Sequence, residues 1–202
     1  MVNKGDKSNR LLGVILAGGA STRMGGYDKF LLPMGEKRIL DHIVERLSPQ
    51  VDALVLNTNT TDISTELAIL PDRGNSMGPL SGLYTVLRYA KDNGYSKIVS
   101  VASDTPFIPH DLVVRFMEQP DNRLVVAKSD DRLHPIIGLW DVTLLQDVKR
   151  ALERPQLKVM SFVKNNNASE VVWDQALDPF FNINTAEDLE KAKKLAHQGQ
   201  LF

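Results

Sequence analysis

Apolar residues fall along this chain in two rhythms. Residues 11–16 (LLGVIL) form a nearly continuous apolar run that glycines follow at once. Such a run predicts a strand buried on both faces and ending in a tight turn. Similar short runs predict strands at 53–56, 67–70, 98–102, 124–127, 136–140, 170–173 and 180–183. Between them the spacing lengthens to helical. Residues 38–47 place Ile39, Leu40, Ile43, Val44 and Leu47 on one face. Gly78-Pro79 opens a helix carrying Leu80, Leu83, Tyr84 and Leu87, and further helices are expected at 110–118, 142–152, 158–163 and 185–197. Asp141 and Thr185 are the expected N-caps of two of these helices. A polar loop is expected at 128–134, and a turn at 71–75.

Strands alternating with helices predict one α/β domain, its mainly parallel sheet covered on both faces. Ligands of such sheets collect at the carboxyl ends of the strands. That directs attention to 17–29, Asn57, Asp72 and Asp104, each just beyond a predicted strand.

Composition narrows the chemistry. The chain has 202 residues, 43% of them hydrophobic, and a formal net charge of -1, so no basic excess suggests nucleic acid as a partner. With no cysteine, thiol catalysis, disulfides and cysteine-ligated zinc drop out. The histidines His42, His110, His134 and His197 are scattered and show no metal-binding spacing. Residues 1–10 are polar and no apolar run reaches membrane length, so the expectation is a cytoplasmic protein, with 1–10 a flexible tail and 11–202 the folded unit.

The chemistry concentrates in LAGGASTRMGGYDK, residues 16–29. Glycines let backbone N–H groups approach an anion closely, and Arg23 and Lys29 add two cations, one forked and one compact. A phosphate cradle is the reading, although neither GxxxxGK[ST] nor GxGxxG occurs. Asp104 is placed to hold a hard cation such as Mg²⁺, or else to bond within its own turn before Pro106. Asp72 and Asn57 are candidate nucleotide contacts, with Asp72 equally suited to a turn. Asn182 and Asn184 share one side of an extended chain, either as polar ligands or as caps of the last helix. His134, near Lys128 and Arg132, is either an exposed loop histidine or a contact for an acceptor's anion.

These motifs resemble the molybdenum cofactor guanylyltransferase family, whose opening reads LAGGxSxRMGxDK. Here one extra residue separates Met24-Gly25 from Asp28. The resemblance continues through Gly78-Pro79-Leu80-Ser81-Gly82, Ser103-Asp104-Thr105-Pro106, His134-Pro135 and Phe181-Asn182-Ile183-Asn184-Thr185. It implies a Rossmann-like three-layer sandwich of the nucleotidyltransferase type, with the N-terminal half binding nucleotide and the C-terminal half contributing to the acceptor site. Leu16, Ala17, Gly18, Gly19, Lys29, Asn57, Asp72 and Asp104 would contact GTP, and Asp104 would bind Mg²⁺. Arg23, Lys29 and Asp104 would carry the transfer. His134, Lys158, Asn182 and Asn184 would face the acceptor, molybdopterin or molybdenum-molybdopterin, and transient contacts with other cofactor-assembly proteins are implied. A cytidylyltransferase on the same cofactor, another small-molecule nucleotidyltransferase and a non-catalytic nucleotide-binding adaptor are the competing readings.

Overall fold

The computed structural model describes residues 10–18, 28–72, 78–119, 123–154 and 158–197, the side chain of residue 197 excepted. Gly19 and Arg23, with the rest of 19–27, and most of the predicted 71–75 turn lie outside these residues, as do positions 1–9 of the predicted tail.

The first apolar run is β1 (Leu11–Leu16), buried at all six positions. Its odd and even side chains enter different cores, Leu11 and Ile15 one, Leu12, Val14 and Leu16 the other. β1 lies between β4 (Ala53–Asn57) and β6 (Lys97–Ala102), parallel to both, and β5 (Ala68–Leu70) extends the sheet parallel to β4. The second half adds β7 (Leu124–Ser129), β8 (Arg132–Asp141) and β9 (Ser169–Trp173), for an order β5-β4-β1-β6-β8-β7-β9.

Helices cover both faces, as the two strand periodicities require. On one side pack α1 (Ile39–Leu47), α3 (Leu112–Met117) and α6 (Ala186–His197). The other side carries α2 (Pro79–Asp92), α4 (Leu145–Leu152) and α5 (Val159–Asn165). The three-layer α/β sandwich expected from the sequence is therefore present. No helix among the described residues is long and apolar enough to cross a membrane.

Four details depart from the sequence expectation. The predicted polar loop at 128–134 is instead a hairpin, because β7 and β8 continue to Ser129 and Arg132 and turn at Asp130, whose φ of 49° suits a short polar residue. β8 runs antiparallel to both β6 and β7, a direction that an apolar run does not encode. No strand forms at 180–183: Phe180 and Ile183 are fully buried, yet they anchor an irregular segment rather than joining a ladder. A two-residue hairpin, β2 (Pro33–Met34) with β3 (Lys37–Arg38), was not anticipated. Predicted N-caps are seen at Asp141, which accepts from Thr143 N–H, and at Thr185, whose Oγ1 accepts from Asp188 N–H at 3.1 Å.

Candidate active site

Register places the ends of four strands in one row. Leu16 stands opposite Asn57 and Ala102, and Asn57 opposite Leu70. Ala17 N–H donates to the Asn57 carbonyl at 2.8 Å, and Ser103 N–H to the Leu16 carbonyl at 3.1 Å. The start of the glycine-rich turn is thus tied to the neighbouring strand ends, with Gly18, Asp72 and Asp104 just beyond the row.

Asn57 is 1% exposed, and its side-chain amide donates to the Leu70 carbonyl and to Asp72 Oδ1, each at 2.9 Å. Both amide protons are therefore used within the protein. Gly82, on the inner face of α2, makes room for this arrangement: a Cβ there would lie 2.2 Å from Asn57 Oδ1. Asp72 N–H donates to Asn59 Oδ1 at 2.8 Å, which further fixes the residue that follows β5.

Across the row, two asparagines expected near the acceptor meet two residues expected at the nucleotide. Asn182 Nδ2 donates to Asp104 Oδ1 at 2.9 Å, and Lys29 Nζ donates to Asn184 Oδ1 at 2.9 Å. The intervening Ile183 N–H donates to the Asp104 carbonyl at 2.9 Å. The segment before α6 is thereby laid against the end of β6. Burial pushes the Asp104 carboxyl above its ordinary range, while the Asn182 hydrogen bond and the charges of Lys29 and Arg132 act against that push. Such a carboxyl gains from a nearby cation. Asn182 Oδ1, also buried, has no hydrogen-bond partner among the described residues, and a buried oxygen left unpaired is costly.

His134 is buried within β8, not exposed on a loop. Its Nε2 lies 2.7 Å from Ser129 Oγ and its ring 4.8 Å from that of Phe180. Arg132, two residues earlier on the same strand, was noted in the sequence only as a neighbour of His134; strand periodicity puts both on one face. Lys158 stands exposed before α5, and no hydrogen bond or ion pair among the described residues ties it to the Asp104 cluster. The structure thus brings together Leu16, Ala17, Asn57, Asp72, Lys29, Asp104, Asn182 and Asn184, and leaves Lys158 apart.

Comparison with known proteins identifies the family. A family profile described as the MobA-like NTP transferase domain covers residues 13–170, which spans the whole strand-end row. The chain belongs to that family. It is 37% identical over 195 residues to a molybdenum cofactor guanylyltransferase of Nitrobacter hamburgensis, covering 91% of this chain and 93% of the relative. A protein of the same name from Bradyrhizobium is 38% identical, with coverages of 91% and 92%. Among solved structures, molybdopterin-guanine dinucleotide biosynthesis protein A from Archaeoglobus fulgidus superposes with a TM-score of 0.74 at 20% identity, covering 93% of this chain and 99% of that one. This transferase therefore shares the nucleotidyltransferase fold.

Proposed function

We propose that this transferase moves GMP from GTP to the phosphate of molybdopterin, or of molybdenum-molybdopterin, releasing pyrophosphate and forming the guanine dinucleotide. One observation carries the reading. Asp104–Asn182 and Lys29–Asn184 join the nucleotide end of the sheet to the segment before α6, within a chain whose relatives are named for guanylyl transfer.

The reaction joins two anions. The acceptor phosphate, with a second pKa of about 6, is largely ionised at neutral pH, so no strong general base is required. One of its oxygens bonds to the α-phosphorus of GTP as the bond to the pyrophosphate oxygen breaks. The protein's task is positioning and charge stabilisation. Lys29, oriented by Asn184, supplies a fixed cation, and Arg23, outside the described residues, is the second cation that the sequence offers.

Mg²⁺ fits the residues present. Asp104 is a half-buried carboxylate, and the unpaired Asn182 Oδ1 is a second hard oxygen, on the residue that donates to it. An ion held by one or two protein oxygens takes its remaining ligands from phosphates and water, a habit of Mg²⁺. Asp104 and Asn182 would hold it, and it would supply neutralisation of charge on the phosphates.

The decisive measurement is pyrophosphate release with molybdopterin, Mg²⁺ and GTP, CTP or ATP in parallel. GTP is the expected donor. Preference for CTP would overturn the base assignment, and binding of nucleotide without release under any condition would favour the non-catalytic adaptor. Lys29→Ala and Asp104→Ala should each lower the rate by about 10²–10³-fold with the fold retained. Near-normal turnover by either purified variant would refute the assignment of its role.

A further inference from the structure

The segment 178–184 has no secondary structure of its own, yet it must hold Asn182 and Asn184 in place. Backbone bonding accounts for part of this: Phe180 N–H donates to Asp178 Oδ1 at 2.9 Å, and Ile183 N–H to the Asp104 carbonyl. Lys191 of α6 lies 5.0 Å from the Phe181 ring. What fixes the segment laterally is Phe180, which is wholly buried between two aromatic neighbours. The Trp173 ring meets it edge-on at 5.2 Å, and the His134 ring lies tilted against it at 4.8 Å. Trp173 in turn meets Phe116 of α3 edge-on at 5.7 Å.

His134 is itself restrained. It is 5% exposed and its Nε2 pairs with Ser129 Oγ across the β7–β8 hairpin. The same hairpin carries Arg132, whose charge acts on Asp104. A side chain so enclosed, with one ring nitrogen engaged and one face against Phe180, is poorly disposed to meet a soluble acceptor.

We infer that His134 is a positioning residue: clamped by Ser129, its ring fixes Phe180 and thereby sets Asn182 against Asp104 and Asn184 against Lys29. The inference rests on the reading of Asp104 and Lys29 given above, but its first test does not. The chain of contact is His134–Phe180, then two residues along the backbone to Asn182 and four to Asn184. Loss of the ring leaves a void beside Phe180, and the segment gains freedom where about 1 Å decides the geometry of transfer. Burial lowers the His134 pKa to about 4, with the charge of Asp178 opposing and that of Arg132 assisting, so the imidazole stays neutral at working pH. A neutral ring is suited to packing on an aromatic and carries no charge to offer an anion.

The experiment uses the full chain with His134→Ala, His134→Phe, Phe180→Ala and the double variant His134→Ala/Phe180→Ala. Amide hydrogen exchange in the ligand-free protein comes first, because the Ile183 N–H bonded to Asp104 reports the segment directly. Exchange at Ile183 should quicken in His134→Ala and Phe180→Ala and stay near wild type in His134→Phe, which keeps a ring. Pyrophosphate release should then fall about 10–100-fold in His134→Ala and Phe180→Ala. The Mg²⁺ concentration for half-maximal rate should rise and the acceptor KM should stay unchanged. The double variant should be little worse than either single one, as expected for residues acting through one contact. His134→Phe should retain most of the rate.

Two results overturn the inference. If His134→Phe raises the acceptor KM as strongly as His134→Ala, the imidazole meets the acceptor itself. If Ile183 exchange is unaltered in His134→Ala, the residue merely fills the core. Absence of pyrophosphate release from the wild-type protein would instead count against the proposed function, leaving the exchange result to decide the role of His134.

Discussion

Asp104 is asked to be ionised where its surroundings favour the neutral acid. Desolvation is the largest influence on it, and the Asn182 hydrogen bond with the charges of Lys29 and Arg132 only partly offsets that influence. Holding a charge ready for a cation therefore costs stability in the ligand-free protein. Asp104→Asn should raise the Tm of the ligand-free protein at neutral pH while abolishing transfer, an opposition readable from one melting curve and one pyrophosphate assay. His134 behaves in the reverse sense. Its folded pKa of about 4 lies below the ordinary 6.5, so on acidification the unfolded chain takes up the proton first. The stability due to its neutral form is complete above about pH 6.5 and is lost as pH falls towards 4, with a slope of at most about 1.4 kcal/mol per pH unit. Urea midpoints measured from pH 7 down to 4.5 should therefore fall faster for wild type than for His134→Gln. Gly82 gives a third test at this scale. Gly82→Ala would press a methyl group into Asn57 Oδ1, with a cost of about 1–3 kcal/mol and a weakened grip on Asp72, measurable as a raised GTP KM. The candidate residues were legible because charged and amide side chains directly after apolar runs are visible in any sequence. Their partners were not. Nothing in the spacing of Asn57 says that its amide is spent on Leu70 and Asp72, or that Asn182 and Asn184 cross to Asp104 and Lys29.

Elements were read well where burial alone determines them and poorly where direction or context does. β1, buried on both faces, and α2, opened by Gly78-Pro79 and striped with Leu80, Leu83 and Leu87, lie close to where the apolar pattern puts them. The run at 180–183 misled because three apolar residues in four look like the start of a strand, whereas Phe180 and Ile183 both enter one core from an irregular segment. The course of β8 escaped notice for a different reason: side-chain alternation is the same for a strand running either way. Its pairing is also tight. Gly138 sits opposite Val126 beside a register shift, and a Cβ there would lie 2.4 Å from the Val125 carbonyl. Backbone is a less forgiving neighbour than the end of a side chain. Gly138→Ala should lower stability by about 1–3 kcal/mol in denaturant unfolding and loosen the hairpin that carries Ser129 and His134.

At the scale of the molecule, the site is a seam between two halves of one sheet. Parallel strands deliver Ala17, Asn57, Asp72 and Asp104 from their carboxyl ends, and the second half returns Asn182 and Asn184 from the segment before α6. A ligand spanning that seam should hold both halves, so Mg²⁺ with GTP at 100 times its Kd should stabilise the protein by about 2.7 kcal/mol. That shift is readable as a rise in Tm that CTP at the same concentration fails to match. The reversed β8 has a separate consequence. Because it runs against β6, its beginning rather than its end lies towards the carboxyl end of β6, and the hairpin turn at Asp130 and Asp131 is exposed. Substitution of these two exposed aspartates can therefore change the charge near that strand end without disturbing the core.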